Sequence, residues 1–338
     1  MDKNKIIIYD VSLRDGSHAI SHQLSIEQIS KYAKAAEKAK LYAIEVGHGN
    51  GLGASSLLVG KSKLSDEIML KTAKENLVNT KLGTHVIPGF ATINNNINRA
   101  IDIGVDIFRV ASHSTEADTT QRHISYIRDK GKEVYGLLMS AHMTNADILL
   151  EEAIKMQAYG AEAIVILDSA GSMLPHDVKK RVELLSKNLK VPVGFHGHNN
   201  LGLAVSNSIV ALDSGAKILD ASIKGFGAGA GNTQLEVLVG LLTKYNYETS
   251  IDLYGVLNLA SLADKLLLKE AITISSLSIV SGLSKVFSGF SKHIQRISIK
   301  YDVDPRDVFF ELGRQKVIAG QEDKIIDVAI KLSKAKGK

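Results

Sequence analysis

The residues best equipped for chemistry sit together where the first apolar run ends. Tyr9-Asp-Val-Ser-Leu-Arg-Asp-Gly-Ser-His18 offers a guanidinium at Arg14, a carboxylate at Asp15 and an imidazole at His18. A guanidinium can hold an oxyanion, a carboxylate can hold a cation, and an imidazole can exchange a proton near neutral pH. A second group lies in Val191-Pro-Val-Gly-Phe-His-Gly-His-Asn-Asn200. In extended backbone the side chains at i and i+2 share a face, so His196 and His198 can converge on one cation, with Gly197 leaving room between them. Two imidazoles and the Asp15 carboxylate suit a divalent first-row metal and leave coordination positions open for a substrate. The competing interpretation has Asp15 simply paired with Arg14. Cysteine is absent, which excludes disulfides, thiolate ligands and a cysteine nucleophile, and leaves Mn²⁺, Mg²⁺, Co²⁺ or Fe²⁺ as fitting ions.

For these residues to meet, the elements carrying them must close on each other. Apolar, β-rich runs at 6–10, 42–47, 80–86, 106–110, 133–138, 163–167, 192–195 and 217–222 alternate with segments of helical period. Ser25 and Gln28 form a capping-box pattern at the start of one helix. Helices are also expected over 145–159, with Gly160 as a C-cap, and over 174–189. Eight strand–helix pairs predict an α/β fold, a (β/α)8 barrel, whose carboxyl-terminal rim is where such enzymes assemble their chemistry. In a closed barrel only strand eight separates strands one and seven, so Asp15, His196 and His198 can share a cation. After residue 251 the strands stop. Helices are predicted over 253–271, 280–296, 305–317 and 321–334, giving a catalytic barrel at 1–251 and an all-α domain at 252–338.

Composition narrows the rest. With 45% hydrophobic and 23% charged residues over 338 positions, the chain reads as an ordinary soluble globule. The formal charge of +5 comes from scattered lysines, concentrated in 331–338, with no basic stripe interleaved with aromatics. Nucleic acid is therefore not an expected partner. The apolar run after Met1-Asp-Lys-Asn-Lys5 is too short for a signal peptide or a membrane span, so the expected location is cytoplasmic. Seven of the eleven histidines follow predicted strands: His18, His48, His85, His113, His142, His196 and His198. Most are expected to support the rim rather than touch metal.

Asp10-Val-Ser-Leu-Arg-Asp-Gly16, Glu45-Val-Gly-His-Gly-Asn-Gly51, His196-Gly-His-Asn-Asn200 and Gly225-Phe-Gly-Ala-Gly-Ala-Gly-Asn232 together resemble the DRE-TIM metallolyases. Ser114-Thr-Glu-Ala-Asp118, Asp168-Ser169 and Gly320-Gln-Glu-Asp323 extend the resemblance along nearly the whole chain. Within that superfamily the chain is similar to the 4-hydroxy-2-oxovalerate (4-hydroxy-2-oxoacid) pyruvate aldolases. The resemblance implies that Asp15, His196 and His198 hold a divalent metal, most naturally Mn²⁺. The 2-oxo acid would chelate it, Arg14 would stabilise the enolate oxygen, and His18 would take the 4-hydroxyl proton as the C3–C4 bond breaks. Ser169 would bind the substrate carboxylate. It further implies an acylating aldehyde dehydrogenase as partner, contacted through the helical tail, and a homo- or hetero-oligomer.

Two features depart from the family pattern. The family carries a substrate-facing tyrosine in a Val-Tyr-Ser-Ser-Phe stretch, whereas this chain has Val286-Phe-Ser-Gly-Phe290, so Phe287 faces the substrate without a hydroxyl. Gly282-Leu283 lacks a further tyrosine. His85 and Lys224 stand at positions that are apolar and small in the family, and are expected to line a pocket for a more polar aldehyde. Lys224 also raises a metal-free Schiff-base aldolase. A condensing enzyme using acyl-CoA and a 2-oxo acid, as in the isopropylmalate synthases, is the main alternative. Gly225, Gly227 and Ala230 match a relaxed G-x-G-x-x-A but follow strand eight, which favours a tight rim loop over a nucleotide site.

Overall fold

The computed structural model describes residues 6–268, 270–318 and 320–336. Eight parallel strands close in chain order: β1 (Ile7–Leu13), β2 (Ala43–Val46), β3 (Lys81–Val86), β4 (Ile107–His113), β5 (Glu133–Met139), β6 (Ala163–Asp168), β7 (Val193–Gly197) and β8 (Ile218–Ala221). Closure is direct, since Tyr9 of β1 registers with Ala43 on one side and Asp220 on the other. Between and after them run α1 (Ile26–Lys38), α2 (Asp66–Lys74), α3 (Asn98–Ile103), α4 (Gln121–Asp129), α5 (Ala146–Ala158), α6 (Pro175–Asn188), α7 (Ala204–Asp213) and α8 (Leu235–Lys244). Among the described residues no helix is long and apolar enough to cross a membrane.

Alternation along each strand separates two cores. Tyr9, Val11, Ile107, Tyr135, Leu137 and Val165 fill the barrel. Ile8, Ile44, Val110, Leu138, Ile166 and Leu219 face outward and bury against the helices. The capping box of α1 forms as expected: Gln28 N–H donates to Ser25 Oγ at 3.2 Å and Ser25 N–H to Gln28 Oε1 at 2.8 Å. β1 runs to Leu13, beyond the expected end at residue 10. Asp10 and Ser12 interrupt the apolar signal, but their polarity is consumed locally: Asp10 accepts Ser12 N–H at 2.9 Å and Tyr32 O–H at 2.7 Å. Extending the strand delivers Arg14 and Asp15 to the mouth of the barrel.

The region after the barrel is all helix: α9 (Leu253–Leu266), α10 (Ser276–Ser284), α11 (Ser291–Tyr301), α12 (Pro305–Arg314) and α13 (Asp323–Lys336). α9 buries Val256, Leu259 and Ala263 in the outer barrel core, and Gln28 Nε2 donates to Leu266 O at 2.7 Å. α10 to α13 enclose a separate core built from Phe290, Ile294, Val308, Phe309, Leu312 and Val328. The helix expected over 280–296 is in fact two. Lys285 takes a left-handed φ of +60° and a 3-10 turn covers Ser288–Phe290. Ser281 and Ser284 turn their hydroxyls onto backbone carbonyls there, an alternative to continuing the helix. The break carries Phe287 and Ser288 to the barrel rim.

The inner core leaves no room at Gly83, where a Cβ would overlap the hydroxyl of Tyr9, whose ring centroid lies 4.3 Å from the Arg109 guanidinium carbon. Gly83→Ala is expected to destabilise the fold by about 1–3 kcal/mol through overpacking, measured as a lower urea midpoint with unchanged slope.

Candidate active site

β2, β4, β8 and the residues just after β1 send charged side chains into the upper barrel, where β7 adds His196. Arg14 donates from Nε to Glu45 Oε2 at 2.7 Å and from Nη1 to Asp15 Oδ2 at 2.8 Å. Arg109 donates from Nη2 to Asp220 Oδ2 at 2.5 Å and places Nη1 at 3.5 Å from Glu45 Oε2. Asp220 in turn accepts His196 Nδ1–H at 3.0 Å. Arg14, Asp15, Glu45, Arg109, His196 and Asp220 are all at most 5% exposed. Counted formally, two guanidinium charges against three carboxylates leave one net negative charge beside the mouth.

Asp15, His196 and His198 are brought together, each offering a ligand atom, and those atoms all lie within 4.8 Å of one another. The donor chemistry fits a divalent cation. Because His196 gives its Nδ1 proton to Asp220, its Nε2 lone pair faces inward, toward His198 Nε2 at 3.3 Å. Burial holds the His198 ring down to about 4, so it is neutral at ordinary pH. Burial would raise the Asp15 carboxyl, but the adjoining Arg14 guanidinium outweighs it and keeps it ionised. Asp15 therefore pairs with Arg14 and faces the two imidazoles at once, so the two interpretations of that residue coexist.

His18 ends the 3-10 turn Asp15–His18. Burial pushes its imidazole below the ordinary value of 6.5, leaving a neutral ring able to accept a proton. The Phe287 ring stands edge-on to it, with centroids 6.4 Å apart. Ser169 follows β6 and accepts Ser140 N–H through Oγ at 3.0 Å, while its carbonyl accepts the Ser288 hydroxyl at 3.4 Å. A cavity of about 1200 Å³ opens beside His18 and Phe287, between the barrel rim and the helical region.

Two expectations about the rim change. Lys224 does not line a pocket: its Nζ lies 3.5 Å from Asp264 Oδ1, on the flank where α9 packs. A left-handed φ of +56° at Lys224 turns the side chain outward, which removes it as a Schiff-base lysine. His85 lies inside the barrel, 2% exposed, with Nδ1 3.8 Å from Glu45 Oε1, rather than on the rim. The glycine run forms a tight loop. Gly225 and Gly231 have φ of +69° and +80°, and a Cβ at Gly231 would overlap the Gly225 carbonyl.

Asn232 is a contact that motif reading missed. It closes the glycine loop and donates from Nδ2 to Asp15 Oδ1 at 3.1 Å. Its signal was in the run Gly225–Asn232, which draws attention to its glycines instead. Glu45, Arg109 and Asp220 also escaped functional assignment: Arg109 and Asp220 are single charged residues inside apolar strands with no local motif, and Glu45 opens a motif whose glycines and histidine draw the attention.

The model of the HMGL-like family matches residues 5–263, and that of the DmpG-like communication domain matches residues 272–334. The 4-hydroxy-2-oxovalerate aldolase of Pectobacterium atrosepticum is 56% identical over 330 residues, covering 98% of this chain and 96% of that relative. The 4-hydroxy-2-oxovalerate aldolase of Spirochaeta aurantia is 55% identical over 332 residues, covering 98% and 97%. The carboxyl transferase domain of Rhizobium etli pyruvate carboxylase superposes with a TM-score of 0.83 at 16% identity, covering 99% of this chain and 61% of that one, a likeness of fold. A closed barrel with an HMGL-like sequence and an inward-facing carboxylate–imidazole cluster defines the class. The chain belongs to the HMGL-like family, in the branch of the 4-hydroxy-2-oxovalerate aldolases.

Asp220 orients His196 and neutralises Arg109. Asp220→Asn is expected to weaken Mn²⁺ binding about 10–100-fold by loosening that orientation, read by titration of the purified protein with Mn²⁺.

Proposed function

We propose that the protein is a metal-dependent, class II pyruvate aldolase, a lyase that cleaves and re-forms the C3–C4 bond of a 4-hydroxy-2-oxo acid. The products are pyruvate and an aldehyde. The observation that carries this reading is a single atom. Arg14 Nη2 is buried without a hydrogen-bond partner, on the residue adjoining the Asp15–His196–His198 cluster. Such an orphan donor is costly unless a ligand oxygen completes it. The names of the relatives favour this lyase over the acyl-CoA condensing enzyme.

Asp15, His196 and His198 would hold the ion, with Mn²⁺ preferred and Mg²⁺ or Co²⁺ as substitutes. When bound there, a divalent cation supplies Lewis acidity to a chelated 2-oxo carboxylate. The protein's own groups do the rest. Arg14 Nη2 donates to the 2-oxo oxygen as enolate charge develops, a preorganised contact of a kind often worth about 3 kcal/mol. Ser169 Oγ, already accepting Ser140 N–H, keeps its proton to donate to the substrate carboxylate. Neutral His18 takes the proton of the 4-hydroxyl, directly or through a water. The O–H electrons form the aldehyde carbonyl, the C3–C4 pair passes into the pyruvate enolate, and protonation at C3 releases pyruvate. Phe287 bounds the aldehyde side with a ring edge and takes no part in proton transfer. The helical domain at 252–338 would serve a partner. Its match to a communication domain supports an acylating aldehyde dehydrogenase in a hetero-oligomer.

The decisive experiment reconstitutes the protein with Mn²⁺ and follows pyruvate release from 4-hydroxy-2-oxo acids through lactate dehydrogenase. Turnover that EDTA abolishes and Mn²⁺ restores is expected. Arg14→Ala should retain the ion and lower kcat about 100-fold or more; a near-normal rate would remove arginine from the mechanism. The His18 shift is downward, so the neutral base persists at pH 7 and is lost as pH falls. The acid limb of kcat/KM is therefore expected below pH 6.5.

A further inference from the structure

The segment that carries His18 is held in an unfavourable backbone shape. Ser21 and His22 both adopt left-handed φ, +53° and +62°, shortly after the 3-10 turn that ends at His18. Consecutive non-glycine residues in that region persist only where surrounding contacts enforce them, and such strain gathers at functional positions. The contacts come from two sides.

On one side stands a stack of imidazoles. The His22 ring lies face to face with His48, with centroids 3.6 Å apart and planes at 24°, and presents an edge to His18 at 5.0 Å. His22 Nδ1 faces Ser17 Oγ at 3.2 Å and accepts Gly49 N–H at 3.3 Å. His48 accepts Asn50 N–H through Nδ1 at 3.0 Å, so its Nε2–H donates to Gly60 O, also at 3.0 Å. Both rings are thus fixed in orientation by the backbone of the loop after β2. Gly49 itself lies so close that a Cβ would overlap the His18 ring.

On the other side stands α11. Lys292 Nζ donates to the carbonyls of His18 at 3.3 Å and Ala19 at 3.1 Å, and to Ser21 Oγ at 2.9 Å. An ammonium at the carboxyl end of the turn adds a charged donor to the His18 carbonyl, which also accepts Ser21 N–H at 3.2 Å, and to that of Ala19. This contact joins the helical region to the backbone of the proton-transfer residue.

We propose that His22 and Lys292 are positioning residues for His18, a clamp that sets where its imidazole meets the substrate hydroxyl. The proposal rests on the reading of His18 as the base. Neither residue need touch substrate; each acts by denying His18 the freedom that its strained turn would otherwise take. Displacing a reacting group by about 1 Å can cost about 100-fold in rate. Loss of either jaw should therefore appear in kcat, leaving the binding of the 2-oxo acid and of the ion intact.

The test uses the full chain loaded with Mn²⁺, 4-hydroxy-2-oxopentanoate as substrate, and His18→Gln as reference. Lys292→Met removes the ammonium from an exposed site that the fold does not require. His22→Asn keeps a side chain that tolerates left-handed backbone and removes the ring. Each is expected to lower kcat about tenfold or more, with KM and Mn²⁺ affinity within about twofold of the parent. Lys292→Arg should restore most of the rate. Unchanged kcat in both variants, with His18→Gln inactive, overturns the clamp and leaves the base in place. Equal losses in kcat, KM and Mn²⁺ affinity also overturn it, since that pattern marks general damage. Normal turnover by His18→Gln removes the base itself, and the clamp with it.

Discussion

A chain of buried charges running from Arg14 through Glu45 and Arg109 to Asp220, which in turn holds His196, is the constraint on which the upper barrel depends. Moving each such ion out of water costs several kcal/mol. That cost is offset only when every member meets its partner with good geometry. The members come from β2, β4, β7, β8 and the residue after β1, and the Arg109–Asp220 pair spans strands that are not neighbours in the sheet, so it forms only as the barrel closes. Closure therefore completes the site. The same linkage fixes orientation: Asp220 selects the His196 tautomer, and Glu45 holds the Arg14 guanidinium through Nε. The cluster is assembled rigid before any ligand arrives, as preorganised electrostatic catalysis requires.

Around this polar centre, part of the backbone strain lies at the rim. Ser21, His22, Ser140 and Lys224 all take left-handed φ in loops at the carboxyl ends of strands. Each such residue costs of order 1–3 kcal/mol. Their common effect is to aim neighbours: Ser140 N–H at Ser169, the Lys224 side chain away from the mouth, and His22 between His18 and His48. Strain here is a means of fixing direction where regular structure has ended.

Much of this was readable in advance, for a definite reason. Period-two and helical patterns record which side of each element is buried, so eight strands and their helices announce a barrel. His-x-His records its own geometry, since extended backbone places both rings on one face. What could not be read are contacts between residues far apart in sequence that leave no local pattern. Asn232 reaching Asp15, Asp220 orienting His196 and Lys292 capping the His18 turn are of this type. Helical period also concealed the break between α10 and α11, because the apolar spacing over 280–296 runs on through it. Only the density of serine and glycine at 281–289 hints that backbone groups there find other partners. Lys224 misled in the opposite way: its position next to β8 suggested a rim lysine, but direction depends on one φ angle that composition does not reveal.

The break between α10 and α11 also explains how labour divides between barrel and tail. Arg14, Asp15, His18, His196 and His198 all belong to the barrel and its loops. The tail contributes a ring edge at Phe287, hydroxyls at Ser281 and Ser288 that engage Asn200, and the Lys292 ammonium. Asn200 meanwhile accepts Ala230 N–H from the glycine loop at 3.1 Å, so the tail grips the same loop that presents Asn232 to Asp15. The phenyl ring at residue 287 thus belongs to a surface that encloses and steadies the rim. The chemistry is set by charges inside a closed sheet, and the tail determines how firmly the loops bearing those charges are held.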